Sequence, residues 1–238
     1  MPTMNRDALA DAGPVDPPLP FSGGRYPVSA AEAARVERRI VALYLVAPLA
    51  ATAVALTGFH LARPAWLALG MAGFAAIAVA VGVLAVAERR LMFFARSFMR
   101  REARFVIYEG AAAVPFGVAL AWLGLCGFAL VLAWVFGVTP AQLHDALLAR
   151  PAFALIPLGL WFVLNALGLL IGFADRRGDL ARRAMHAVQD LTTRLAGAVL
   201  GLIGAALLAA GVADAAAPAL FDAACRSVFG QPWPWRTH

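Results

Sequence analysis

The chain has 238 residues, of which 62% are hydrophobic and 14% charged, with a formal net charge of +6. A folded soluble domain leaves much of its surface in water and cannot hide that much apolar area. The composition therefore excludes a soluble enzyme, a disordered chain and a nucleic-acid-binding domain, and points to lipid as the main solvent.

Residues 1–28 are polar and rich in Pro and Gly, as in Asp16-Pro17-Pro18 and Gly23-Gly24. They lack the apolar run of a signal peptide and are expected to form a disordered cytoplasmic tail. Ser29-Ala30-Ala31-Glu32 has the spacing of a capping box, in which the Ser hydroxyl and the Glu carboxylate satisfy each other's backbone amides. A helix is predicted to start there, pass the charged stretch Arg35 to Arg39, and enter the membrane at Ile40.

A spanning helix needs about 20 apolar residues. Five segments qualify: 40–61, 65–87, 111–138, 152–174 and 195–213. The expected fold is an all-α, multi-pass transmembrane helix bundle of five spans with short interfacial helices, occupying 29–213. Residues 214–238 form an exoplasmic amphipathic tail, with a helix over Pro218 to Phe229 and Gly230 as its C-cap. Thr139-Pro140-Ala141-Gln142 is a second capping box, opening a short helix that runs through Leu148. Trp66, Trp134, Trp233 and Trp235 fall where interfacial aromatics are expected.

All 20 basic residues are Arg. Sixteen lie in the N-terminal segment, the loop after the second span and the loop after the fourth; Arg63, Arg150, Arg226 and Arg236 lie on the other side. By the positive-inside rule the N-terminus is cytoplasmic and the C-terminus exoplasmic. The arginines flank hydrophobic segments, so their expected partners are anionic lipid headgroups rather than nucleic acid. Abundant Ala and Arg without Lys suggests a bacterial source, and hence the bacterial cytoplasmic (inner) membrane. The acid-Arg-Arg triplets at Glu37, Glu88 and Asp175 have no fixed period and mark span boundaries.

Two loops are expected to extend the helices. In Glu88 to Tyr108, Arg96, Arg100 and Arg104 recur every four residues as a polar helical stripe, with Leu91, Phe94, Phe98 and Phe105 on a more apolar side. In Asp179 to Arg194, Leu180, Ala184, Val188 and Leu191 form a second apolar stripe.

Ionisable residues inside a membrane are the best default pointer to function. Spans one, two, four and five carry none in their cores. Glu109 is either buried one turn inside a span that begins at Phe105 or, on the preferred reading, a boundary residue ahead of Ala111. Asn165, near the centre of span four, is expected to bridge helices, with ligand contact as the alternative. Gly168, Gly172, Gly197 and Gly201 form two GxxxG pairs and are the helix-packing candidates. Pro48, Pro115 and Pro157 lie within spans and mark kinks or static bends.

His60, His144, His186 and His238 do not cluster at helical spacing, and no cofactor or metal site is expected. Cys126 and Cys225 lie far apart, with no CxxC. Nucleophile, P-loop, metalloprotease and dinucleotide motifs are absent, so no catalytic residue is proposed and the chain is not expected to be an enzyme. The favoured reading is an accessory, assembly or scaffold subunit partnered with another membrane protein or with copies of itself. The alternative is a small transporter or channel for a neutral or hydrophobic solute.

Overall fold

The computed structural model describes residues 24–25, 27, 29–96, 103–172 and 180–234. Within them lie seven helices and a small sheet. Helix α1 spans Ala30–His60, α2 Pro64–Glu88, α3 Ala113–Val135, α4 Pro140–Ala149, α5 Ala152–Ile171, α6 Leu180–Ala216 and α7 Pro218–Phe229. Strands β1 (Gly24–Arg25), β2 (Arg90–Arg96) and β3 (Ala103–Glu109) form the sheet. Helices α1, α2, α3, α5 and α6 are each long and apolar enough to cross a membrane. This is the architecture of a multi-pass membrane protein.

The spans begin where the chemistry asks. Ser29 accepts the Glu32 amide at 3.2 Å and caps α1. Pro64 opens α2 at a position that needs no amide donor. Thr139 and Gln142 complete a reciprocal capping box on α4. Gly230 closes α7 in the left-handed conformation at φ 75°. Within α1, Val41–Val46 form a π-helical segment just before Pro48. Proline has no N–H, and its ring crowds the carbonyl four residues earlier, here that of Tyr44. A wider turn relieves that clash, and the Ala47 N–H bonds back to Ala42.

The spans lie in a row in chain order. Helix α1 packs on α2, α2 on α3, α3 on α5, and α5 on α6. Among the described residues no extensive packing joins α1 to α5 or α6. Lipid offers no hydrophobic drive for helix pairing, so close backbone approach through small residues does the work. A Cβ on Gly117 would sit 2.7 Å from the Gly82 carbonyl oxygen and one on Gly124 2.6 Å from that of Ala75, so α2 and α3 approach closely at both levels. Between α5 and α6 the contact falls on Gly197, Gly204 and Gly211, one every seven residues, with Gly201 between the first two. That repeat keeps one seam of α6 against α5.

One expectation is overturned. The segment Glu88 to Tyr108, expected to be helical, instead leaves α2 through Arg89, held at φ 48°, and runs as two antiparallel strands in the order β1-β3-β2. Arg90 pairs with Glu109 and Met92 with Ile107; Gly24 and Arg25 add to the other edge of β3. The segment is rich in aromatic and β-branched residues, which suit a pleated surface. An interval of four is also an even interval, so arginines at 96, 100 and 104 are compatible with either periodicity. Phe94, Phe98, Arg100 and Phe105 lie where side chains are not described, and residues 97–102 lie outside the described backbone.

At the end next to α2 and α3 the sheet buries both faces. Leu91, Val106 and Tyr108 pack with Ala85, Ala112, Ala113 and Phe116 at the end of the α2–α3 hairpin. Ile107, with Met92, packs on Val36 and Ile40 of α1. Val106, Ile107 and Tyr108 are the largest fully enclosed side chains, at 0–1% exposure. Among the described residues the most enclosed large side chains therefore sit in a wedge of sheet at the arginine-rich end. The spans themselves expose broad apolar faces.

Residues 180–194 of the Asp179 to Arg194 segment join the fifth span as one continuous helix, α6, and Asp179 lies outside the described residues. Of residues 1–28, Gly24–Arg25 pair with β3, and residues 1–23 lie outside the described residues.

Candidate functional site

The site with the densest polar chemistry lies where α1, α2 and the sheet converge at the arginine-rich end. It is built from two helical stripes. On α1, Glu32, Arg35, Val36, Arg39, Ile40, Leu43 and Tyr44 recur at three- and four-residue intervals and so share one face. On α2, Val81, Leu84, Ala85 and Glu88 do the same. Arg90, Met92 and Ile107 close the space from the sheet.

Two ion pairs fix its charged groups. Arg39 Nη1 donates to both carboxylate oxygens of Glu88, at 2.6 and 2.7 Å, and so ties α1 to the end of α2. Arg90 Nε meets Glu109 Oε1 at 3.0 Å across the first rung of the hairpin. Arg39 uses Nη1 and Arg90 uses Nε for its carboxylate, and a guanidinium has five N–H donors in all. Arg35 also lines the cleft, and its Nε donates to the Ala31 carbonyl at 3.4 Å. The polar cleft has a volume of about 370 Å³. It shares Arg39, Glu88, Arg90 and Met92 with a narrower crevice, about 40 Å³, that continues between α1 and α2 past Ile40, Leu43, Tyr44, Val81 and Leu84.

The residues singled out in the sequence are placed as follows. Glu109 ends β3 ahead of α3, partly exposed and paired with Arg90. Asn165 is half-buried, and its amide donates to the Trp161 carbonyl of its own helix at 2.7 Å. Gly168 faces the Phe116 ring of α3, whereas Gly172 is the C-cap of α5 at φ 66°. Those two glycines therefore do not share a helix-packing face. Gly197 and Gly201 both face α5, with a Cβ on either falling 2.9 Å from that of Leu169 and 3.4 Å from that of Ala166, respectively. His60 stacks edge-on to Phe59, and His144 lies 3.5 Å from Asp145. Among the described residues no three His, Cys, Asp or Glu side chains are grouped to hold a metal.

Three polar contacts lie elsewhere. Asp214 of α6, 4% exposed, accepts the Ala152 N–H at the start of α5. Trp122 of α3 donates to the Pro157 carbonyl of α5 at 3.1 Å, beside an almost wholly apolar groove of about 450 Å³. Trp233 donates to the Leu148 carbonyl at the end of α4 and packs edge-on against Phe221. Single-residue patterns do not reveal such partners, since each joins positions remote in sequence. The four-residue pairing of Gly197 with Gly201 missed Gly204 and Gly211, which a search at seven-residue spacing would find.

No family model matches the chain, and no curated protein or solved structure is significantly similar to it.

Proposed function

We propose that this chain is a non-catalytic subunit of a membrane complex in a bacterial cytoplasmic membrane, acting in assembly or as a scaffold. The observation that carries this reading is the open row of spans. Helices α1 and α6 each pack on one neighbouring span, and the outer face of α6 presents Val199, Leu202 and Val212 at more than half exposure beside small residues Ala198, Ala205 and Ala209. Small residues beside larger ones let another helix approach closely. Meanwhile Asp214, Trp122 and Trp233 spend their polar atoms on helix ends and helix–helix contacts. The arginine bias sets the sheet on the cytoplasmic side.

Asn165 motivated a transport reading, but its amide is engaged within α5, and the cavities described above are lined by other residues. Asn165 therefore does not favour transport. Gentle solubilisation followed by native mass measurement tests the subunit role. A second chain or further copies at fixed stoichiometry is the expected result. A lone monomer carrying lipid alone would overturn it.

A further inference from the structure

We propose that the cleft between α1, α2 and the sheet is a binding site for one anionic phospholipid, held by its phosphate and the first carbons of an acyl chain. The argument starts from polarity along a single helix face. From Glu32 to Tyr44 the lining of α1 changes from charged (Glu32, Arg35, Arg39) to apolar (Ile40, Leu43, Tyr44). At 1.5 Å per residue this is a path of roughly 18 Å. The facing stripe of α2 changes in the same direction, from Glu88 to Leu84 and Val81. A polar cleft of about 370 Å³ thus opens into a narrow apolar crevice at the point where the chain enters the membrane. A phospholipid has that polarity along its own length. A soluble phosphate compound has no use for the crevice, and a peptide would have to carry its backbone amides into lipid, where they cannot be satisfied.

The arginine donors, rather than a net charge, match the occupant, since Glu32, Glu88 and Glu109 equal the three arginines in number. Arg35, Arg39 and Arg90 line the cleft against Glu32 and Glu88. Glu88 engages Nη1 of Arg39 and Glu109 engages Nε of Arg90, so the remaining N–H groups of both guanidiniums lie outside those two pairs. Carboxylates that grip one edge of an arginine orient its other donors, and arginine is well suited to bidentate phosphate contact. A crevice this narrow takes the first carbons of a chain and leaves the rest in the bilayer. Its α1 wall includes Leu43 and Tyr44, both in the π-helical segment Val41–Val46, a kind of irregularity often found at functional sites.

The test uses the full chain in a neutral detergent, with phosphatidylglycerol or phosphatidylcholine titrated in. Binding is read by native mass spectrometry and by the thermal unfolding midpoint. Phosphatidylglycerol is expected to bind one per chain and raise the midpoint, with phosphatidylcholine about tenfold weaker. Arg35→Gln and Arg90→Gln are each expected to weaken phosphatidylglycerol about tenfold, the loss of one charge-assisted contact. Leu84→Trp, which fills the crevice and leaves every arginine in place, is expected to weaken it by a similar factor. Glycerol 3-phosphate, the headgroup without chains, is expected to give no shift. Equal binding of the two lipids, unchanged affinity in the folded Arg35→Gln and Leu84→Trp proteins, or full protection by glycerol 3-phosphate would each overturn the proposal.

Discussion

The Asp214 carboxylate accepts the Ala152 backbone N–H at 2.9 Å, across 62 positions of sequence. Helix α5 is thereby capped by a side chain of α6. The first amides of a helix have no partner of their own, and its N-terminus carries partial positive charge. A buried carboxylate on the neighbouring helix answers both needs and locks the vertical register of the two spans. The glycine seam lets α5 and α6 approach, and Asp214 sets how far one slides along the other.

Removing that cap should therefore cost more than an ordinary surface change. Asp214→Ala is expected to destabilise the protein by about 1–3 kcal/mol, the range for leaving a buried group unsatisfied. Asp214→Asn keeps a carbonyl acceptor of the same size but loses the charge, and should cost less than half as much. Thermal unfolding followed by circular dichroism in mild detergent reads both. An unchanged midpoint for Asp214→Ala would remove the register role.

Two neighbouring glycines of the seam should respond in opposite ways to the same substitution. A methyl on Gly204 would fall 2.9 Å from the Gly159 carbonyl oxygen, which is backbone and cannot swing aside. Gly204→Ala is expected to lose about 1–3 kcal/mol, as overpacked sites do. A methyl on Gly201 would meet the Ala166 Cβ at 3.4 Å, an ordinary contact. Gly201→Ala removes a flexible residue from a helix interior, and the better helix former is worth up to about 1 kcal/mol. That variant should unfold at the same temperature or higher. If both variants lose stability equally, the seam is not set by the contact at Gly204.

The long apolar runs could be read from sequence because lipid imposes a simple rule of length and composition. The caps at Ser29 and Thr139 could be read because each lies within four residues; the full reciprocal box is seen at Thr139, and at Ser29 the hydroxyl accepts the Glu32 amide. The helix Pro218–Phe229 and its Gly230 cap followed from the same local chemistry. The strands did not, because an arginine interval of four fits both a helix face and a strand face. The alternation that decides between them, Val106 and Tyr108 on one side and Ile107 on the other, only gains meaning once α1 and the α2–α3 hairpin supply two buried surfaces. The candidate site was half legible. Arg39, Glu88, Arg90 and Glu109 stood out as boundary charges, but their pairing joins three elements and depends on the sheet.

The Arg39–Glu88 pair should show a modest, salt-sensitive coupling. The Arg39 side chain is 51% exposed and that of Glu88 29%, so solvent screening discounts a contact that would be stronger if enclosed. A double-mutant cycle with Arg39→Gln and Glu88→Gln is expected to give a coupling of about 0.5–1 kcal/mol in stability. Raising the ionic strength should shrink it. A coupling of zero at low salt would mean that the sheet, rather than the ion pair, holds α1 against α2.

Topology provides the broadest test. In the proposed orientation, five spans put the segment between β2 and β3 and the C-terminus on opposite sides of the membrane, with the former inside as the positive-inside rule asks. A single cysteine introduced at Ser97, in a background without Cys126 and Cys225, should resist a membrane-impermeant maleimide in intact cells, whereas one introduced at His238 should react. The bias is spread over three segments, so neutralising one of them should not reverse the orientation. Replacing Arg176, Arg177, Arg182 and Arg183 with Gln leaves the arginines around α1 and the β2–β3 hairpin in place. Labelling is expected to keep the same pattern in that variant. A protected residue 238 in the unaltered chain would require an even number of crossings, and one of the five helices would then lie on the membrane rather than through it.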